Sequence, residues 1–427
     1  GASADIASGD LPSAGVQVLQ DLASGGSDEG RAMLQIVHDI APDSSLLFAT
    51  AFSGLAGFAQ NIRNLANAGA KVIVDDVSYA HQLTFTDDLI REAIDDVTAQ
   101  GSLYFTSNGN GATRGVIEAN PVFRLDANSS AMIDFVPGTT AIDYLTFTAA
   151  STGAIRLRMT WASPAPSVHG TLSSADLDLY VFDSSGNQLA SSVDDQATQM
   201  YDPVEFLQMN VTAGQSYRVA VNRYSGIDPK YVQINQFGGG PSLTFSNGVD
   251  EYSSVFGNSL ASGAISVGAV YYLDSPKIGG DSTVEYFSSY GKAYQTHDRS
   301  GAALVTPQVS VGAEVSGVDG LNTTFFGSDS DGDGRPNFFG TSAAAPSVAA
   351  VAALLLQNNP GLSKDALLDL LQSTAVNAVS YRDEAAFDPV SGAGLIDASA
   401  AIDAMPPADG ATFTVTLTLS NTAAGAL

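Results

Sequence analysis

The first 112 residues alternate between short apolar runs and segments whose apolar residues recur at helical spacing. Four runs predict strands, and the intervening segments from Glu29 to Asp39, 54–69 and 87–101 predict helices. The strand candidates are VQVLQDL (16–22), SLLFATAF (45–52), KVIVDDVSY (71–79) and SLYFTS (102–107). Such alternation predicts a parallel sheet covered by helices, with functional groups at the carboxyl ends of the strands.

The pattern changes between Thr113 and Ser242, where polar and apolar residues alternate and Gly, Asn, Asp and Ser turns separate the segments. This alternation of short segments and turns predicts an antiparallel β-sandwich. The strand–helix pattern resumes from Leu243 with AISVGAVYY and a long apolar helix. We therefore predict that residues 1–112 and 243–405 are two parts of one α/β domain. Residues 113–242 are predicted to form an inserted β-sandwich domain, and residues 406–427 to begin an incomplete C-terminal β module.

Composition narrows the classes of function. The net charge of −28 comes from 45 acidic and 17 basic residues, and such a surface repels nucleic acid and anionic membranes. No apolar run approaches the ~18 residues of a membrane span. The chain has no Cys, which excludes disulfides, a thiol nucleophile and Cys-ligated zinc. Since it starts with Gly and shows no signal peptide, we expect a processed product whose true start lies upstream.

The segment FFGTSAAAP (338–346) carries the strongest chemical signal. Its Gly340-Thr341 turn presents Ser342 at the start of an apolar helix. Unpaired N–H groups and the positive end of the helix dipole favour an oxyanion there and help a hydroxyl to act as a nucleophile. On the local sequence alone, Ser342 could equally be an N-cap.

The wider sequence resembles the subtilisin-like (subtilase) family of serine proteases, whose nucleophile motif is G-T-S-x-A-x-P. Matching segments follow in the family's order: HDIAPDSSLLFATAF (38–52), GAKVIVDDVSY (69–79), LYFTSNGNGA (103–112), AISVGAVYY (264–272) and SGAGLIDASAAI (391–402). The resemblance implies a subtilisin-like α/β fold and a secreted, extracellular endopeptidase that hydrolyses polypeptides. It assigns Ser342 as nucleophile and Asn110 as oxyanion donor.

The position of the family's catalytic His is occupied by Glu29. None of the four His residues occupies it. The sedolisin family, similar in fold, uses a Ser-Glu-Asp set, so Glu29 is the candidate general base. Met33 and Asn110 stand where sedolisins carry Asp, so the chain resembles a subtilase with a Glu base. A carboxylate base requires acidic conditions or a raised pKa.

The family's catalytic Asp lies on a strand that would precede Gly1. Asp76, at the carboxyl end of the cleft-bordering strand, is the candidate substitute. The alternative is that Asp75 and Asp76 cap the strand and face water.

Two further acidic segments carry secondary predictions. Asp329, Asp331 and Asp333 match the opening D-x-D-x-D-G of a calcium loop, although Gly340 stands where its terminal Glu would be. The segment is therefore either a structural calcium site or an acidic turn that faces solvent. ADLDLYVFD (175–183), with Asp176 and Asp178, resembles the prepeptidase C-terminal type of sandwich in secreted proteases.

Three functions therefore compete. They are an active endopeptidase, a catalytically inactive scaffold on the protease fold, and a cell-surface or homo-oligomeric filament subunit that assembles through the sandwich.

Overall fold

The computed structural model describes residues 1–138, 141–379 and 388–405. The predicted C-terminal β module at 406–427 lies outside the described residues.

The first part of the chain follows the predicted strand–helix alternation. Its helices begin at caps or glycine turns; Asp88, for instance, accepts the N–H groups of Ile90 and Arg91 at 2.9 and 3.0 Å. The elements are α1 (Ala2–Ser8), β1 (Gln17–Gln20), α2 (Glu29–Ile40), β2 (Leu47–Ala49), α3 (Gly54–Asn67), β3 (Val72–Asp75), α4 (Leu89–Ala99) and β4 (Leu103–Ser107).

The middle of the chain forms two antiparallel sheets that share one hydrophobic core. Phe147 and Leu179 of one sheet and Leu157 and Ile234 of the other are fully buried in it. The elements are β5 (Gly115–Ala119), β6 (Phe123–Leu125), β7 (Ala131–Ile133), β8 (Leu145–Ala149), β9 (Gly153–Trp161), α5 (Pro166–His169), β10 (Ala175–Phe182), β11 (Gln188–Ser192), β12 (Val204–Val211), β13 (Ser216–Gly226), β14 (Tyr231–Gln236), β15 (Leu243–Ser246) and β16 (Glu251–Tyr252).

These sheets continue about ten residues beyond the boundary at Ser242 that the sequence pattern suggested. β15 pairs with β8, and β16 pairs with β5. Both strands are short, so their alternation is a weaker local signal than that of the long strands before them.

The last part returns to the α/β pattern. Its elements, after a 3₁₀ turn at Gly257–Leu260, are β17 (Ala264–Tyr271), 3₁₀ turns at Tyr272–Asp274 and Pro276–Ile278, β18 (Lys292–His297), β19 (Ala303–Val311), β20 (Val315–Asp319), β21 (Leu321–Asn322), β22 (Asn337–Phe338), α6 (Thr341–Asn358), α7 (Lys364–Thr374) and α8 (Ala398–Ala404).

The two α/β parts meet in one parallel sheet of order β20-β17-β4-β3, while β1 and β2 form a separate parallel pair. Helix α6 packs on one face of the four-stranded sheet through Ala345 and Val348, and α3 and α4 cover the other face with Ile62 and Ile94. The predicted parallel sheet covered by helices is confirmed. Because its strands run parallel, the carboxyl ends of β3, β4 and β20 lie at the same edge.

Candidate active site

The turn before helix α6 places Ser342 in the helix's first turn. Gly340 has φ 108°, in the left-handed region that favours glycine. A Cβ at this position would lie 3.1 Å from Nδ2 of Asn110. The Gly340 N–H donates to Oδ2 of Asp319 at 2.7 Å. The half-buried Ser342 is thus held in a turn that only glycine can form without strain.

Asn110 lies on the loop that follows β4, next to this turn. Its Oδ1 accepts the backbone N–H of Thr341 at 3.1 Å and the Thr341 hydroxyl at 2.9 Å. Because a backbone N–H can only donate, the accepting atom must be the amide oxygen. The NH₂ group of this exposed side chain is therefore the end turned away from Thr341. The predicted oxyanion residue, Asn110, thus contacts the residue that precedes the predicted nucleophile, Ser342.

Asp76 directly follows β3 and brings a carboxyl group to Ser342. Its side chain lies beside the Ser342 hydroxyl and the Glu29 side chain, and both interact with its carboxyl group. Glu29 is the first residue of α2, so the carboxyl groups of two different elements meet here. Burial, the charge of Glu29 and the charge of Asp75 raise the pKa of Asp76 well above its usual range.

Ser342 lowers the pKa of Asp76, as a hydroxyl that donates to a carboxylate does, whereas Glu29 raises it. Of the two acids, Asp76 is thus the one that interacts with the Ser342 hydroxyl, and Glu29 interacts with Asp76.

Asp75 serves a different purpose from its neighbour. It is 6% exposed and accepts hydrogen bonds from Thr106 at 3.0 Å, from Asn258 at 3.1 Å and from Tyr104. These donors fix the end of β3 against β4. The alternative in which both acids face water does not hold for Asp75.

The sequence analysis missed Asp319, which lies at the carboxyl end of β20. It is fully buried, one oxygen accepts the Gly340 N–H, and the other has no donor among the described residues. Burial raises its pKa to about 7. The signal was available, because VSGVDG (315–320) is a strand ending in an acid at the functional edge, as KVIVDD is.

Arg114 was missed as well. Its guanidinium donates to the carbonyl oxygens of Asn110 and Gly111, and so fastens the loop that carries the oxyanion candidate. A cleft of about 480 Å³ opens beside this loop. Its lining includes Asn110 and Gly340 from the site, Leu243 from the antiparallel sheets, and the aromatic residues Tyr286 and Phe339.

The acidic loop between β21 and β22 brings the carboxylate oxygens of Asp329, Asp331 and Asp333 within 4.8 Å of one another. Tyr272 donates to Asp331, and this hydrogen bond lowers the pKa of Asp331. Asn337 of β22 also donates to Asp331 at 3.3 Å. The loop is thereby joined to the strand that leads into Gly340.

Ser342 at the start of α6, the carboxyl groups of Asp76 and Glu29, and the side-chain amide of Asn110 lie together at one edge of a parallel sheet covered by helices. The model of the subtilase (peptidase S8) family matches residues 21–394. The chain belongs to this family of serine proteases.

A solved structure of a protease supports this fold. The CspB protease of Clostridium perfringens is 14% identical at a TM-score of 0.51, with 91% of this chain and 86% of that chain covered. MycP1 from Mycobacterium smegmatis is 15% identical at a TM-score of 0.38, with 96% and 81% covered. A search of curated protein sequences found no match. Within the described residues, no helix has the length and apolar character needed to cross a membrane.

Proposed function

We propose that the protein is a serine endopeptidase that cleaves polypeptides through an acyl-enzyme on Ser342. The carboxyl pair of Asp76 and Glu29 replaces the family's His as the proton acceptor, and Asn110 donates to the oxyanion. The observation that carries the proposal is the interaction of the Asp76 carboxyl group with the Ser342 hydroxyl and with Glu29.

The pair carries one proton and one negative charge when it is active. As Ser342 Oγ forms its bond to the substrate carbonyl carbon, the hydroxyl proton passes to Asp76. The proton that Asp76 shares with Glu29 moves onto Glu29, so both carboxyl groups end neutral. Asp76 then gives a proton to the leaving amine as the C–N bond breaks, and the charge returns to the pair.

The negative oxygen of the tetrahedral intermediate is stabilised by the NH₂ group of Asn110 and by the start of α6. The Asn110→Ala variant is expected to lose about 10²–10³-fold in kcat, the size established for such a donor in subtilisin. Because Asn110 is exposed, the substitution leaves the core unchanged.

Labelling with a fluorophosphonate probe between pH 3 and pH 9 tests the proposal. We expect labelling of the intact chain, no labelling of Ser342→Ala, and a large loss for Asp76→Asn and Glu29→Gln. Labelling should fall on the acid side, as both carboxyl groups become protonated. Circular dichroism of each variant checks the fold, and cleavage of casein checks that the labelled protein is an endopeptidase.

A folded chain that labels at no pH would contradict the proposal and favour the inactive scaffold. Labelling that survives both carboxyl substitutions would also contradict it, since another base would then be at work. If the protein is a surface or filament subunit instead, it should self-associate in sedimentation experiments.

We also propose that the protease acts outside the cell and that calcium binds Asp329, Asp331 and Asp333. The proximity of these three carboxylate groups supports the calcium site. Bound calcium would stiffen the loop that Asn337 connects to the nucleophile turn.

A further inference from the structure

Two acids of β10 are buried on the side of their sheet that faces away from the core. Ala175, Leu177 and Leu179 point into the shared core, so Asp176 and Asp178 point the other way. Even so, Asp176 is 2% and Asp178 5% exposed. Alternation along the strand predicts that these acids face solvent, but in the structure both are buried.

The segment between β11 and β12 lies over these acids. Its residue Gln196 is fully buried. The backbone N–H of Gln196 lies near the Asp176 carboxyl group, and its Nε2 donates to Oε1 of Glu205 at 2.8 Å. On the neighbouring strand β13, Asn222 Nδ2 donates to Oδ2 of Asp178 at 3.1 Å. Both amide groups are thereby oriented, because reversing either would set two oxygens against each other.

This orientation leaves a set of oxygen atoms without donors. Oδ1 of Asp176, Oε1 of Gln196 and Oδ1 of Asn222 are sealed from solvent, and no donor among the described residues reaches them. Buried polar atoms normally have partners, and an unpaired acceptor costs about 1–3 kcal/mol. Asn222 contacts Asp178 and Gln196 lies beside Asp176, so these unpaired acceptors around the two acids indicate a missing positive group.

The charges of the buried acids also indicate a missing positive group. Asp176, Asp178 and Glu205 take part in none of the ion pairs found among the described residues. Buried carboxylates normally pair with a cation or bind a metal.

We infer that the antiparallel sheets bind a calcium ion through Asp176 and Asp178, with the side-chain oxygens of Gln196 and Asn222 as further ligands. Carboxylate and amide oxygens are the ligands that Ca²⁺ takes in proteins. The ion supplies the charge that the buried carboxylates lack.

Terbium luminescence on the whole chain tests the inference, because each acidic site has its own tyrosine. Tyr180 donates to Asp178 at 3.0 Å, and Tyr272 donates to Asp331 of the other loop. After metal removal, Tb³⁺ is added and tyrosine is excited. We expect Tyr180→Phe to lose most of the emission from the β10 site, whereas Tyr272→Phe affects only the loop at 329–333.

Asp176→Asn should lose the same emission and the rise in unfolding temperature that millimolar Ca²⁺ gives the wild type. Asp331→Asn is the matched control and should keep both. Ca²⁺ should displace Tb³⁺ from the β10 site at far lower concentration than Mg²⁺. Emission unchanged in both Tyr180→Phe and Asp176→Asn would overturn the inference, and the buried acids would then be protonated.

Discussion

At the scale of single residues, Asp319 accepts the N–H of Gly340 and so holds the turn that precedes Ser342. Replacing it by Ala leaves the Gly340 N–H buried without a partner, which costs about 1–3 kcal/mol. If the turn loosens by that amount, the rate constant of fluorophosphonate labelling should fall by roughly 5–160-fold. Asp319→Asn keeps the acceptor oxygen and should label at nearly the wild-type rate.

Titration of Asp319 gives this prediction a second measurement. Because its pKa is raised to about 7, wild-type labelling should show a small change near neutral pH that Asp319→Asn lacks. Unfolding temperatures of the variants separate a local effect from loss of the fold. An Asp319→Ala variant that labels as fast as the wild type would show that the hydrogen bond is dispensable.

At the scale of elements, β9 is fastened to the segment before α4 by one buried guanidinium. Arg158 is fully buried; it donates to the carbonyl oxygen of Ala80 at 3.0 Å and to Oδ1 of Asn235 at 3.1 Å, and it lies 4.4 Å from the ring centre of Phe256. The antiparallel sheets are thus joined to the α/β part through a charged group, and burial lowers the pKa of Arg158 to about 9.

We expect Arg158→Met to lower the free energy of unfolding by about 3 kcal/mol, because several buried acceptors lose their donor. Arg156→Met is the matched control on the same strand. Arg156 is exposed, with a single hydrogen bond to Gln208 at 3.2 Å. Urea denaturation measures both. Equal losses in the two variants would show that the buried guanidinium does not join the parts.

The elements also show how far the sequence could predict the structure. Helical period and apolar runs sufficed for β3, β4 and α6, because each is long or strongly patterned. The motif and the strand end sufficed to select Ser342, Asn110 and Asp76. A strand end also marks Asp319, but its pairing with Gly340, 21 residues away, and the pairing of Arg158 with Ala80, 78 residues away, were not predicted. Local pattern carries no information about such pairings.

At the scale of the whole molecule, many acids bind protons more tightly in the folded chain than in the unfolded one. Burial is the main cause in each case. The groups and their pKa values are Asp39 and Asp176 at about 6, and Glu118, Glu205 and Asp319 at about 7. From about pH 4, where unfolded carboxyl groups titrate, to about pH 7, unfolding releases protons. Stability from these groups therefore falls as the pH rises.

Acids whose pKa is lowered in the folded chain determine how stability changes at low pH. At Asp5 burial is outweighed by hydrogen bonds from Arg31 and Thr324, and at Asp96 by those from Arg63 and Arg299, so the pKa of each acid is lowered. Their contribution is present above about pH 4 and is lost as the pH falls through the folded values. Together the two sets place the stability maximum in mildly acidic solution, where a carboxyl pair can also serve as the base of Ser342.

We therefore expect the unfolding temperature in metal-free buffer to be highest near pH 5. It should fall by about 5 °C toward pH 8, the shift that roughly 2 kcal/mol gives in a large domain. Repulsion within a chain of net charge −28 adds to the fall, and 0.5 M NaCl should remove only that part by screening. A fall abolished by salt would assign the effect to surface charge, and an unfolding temperature that rises from pH 5 to pH 8 would contradict the role of the buried acids.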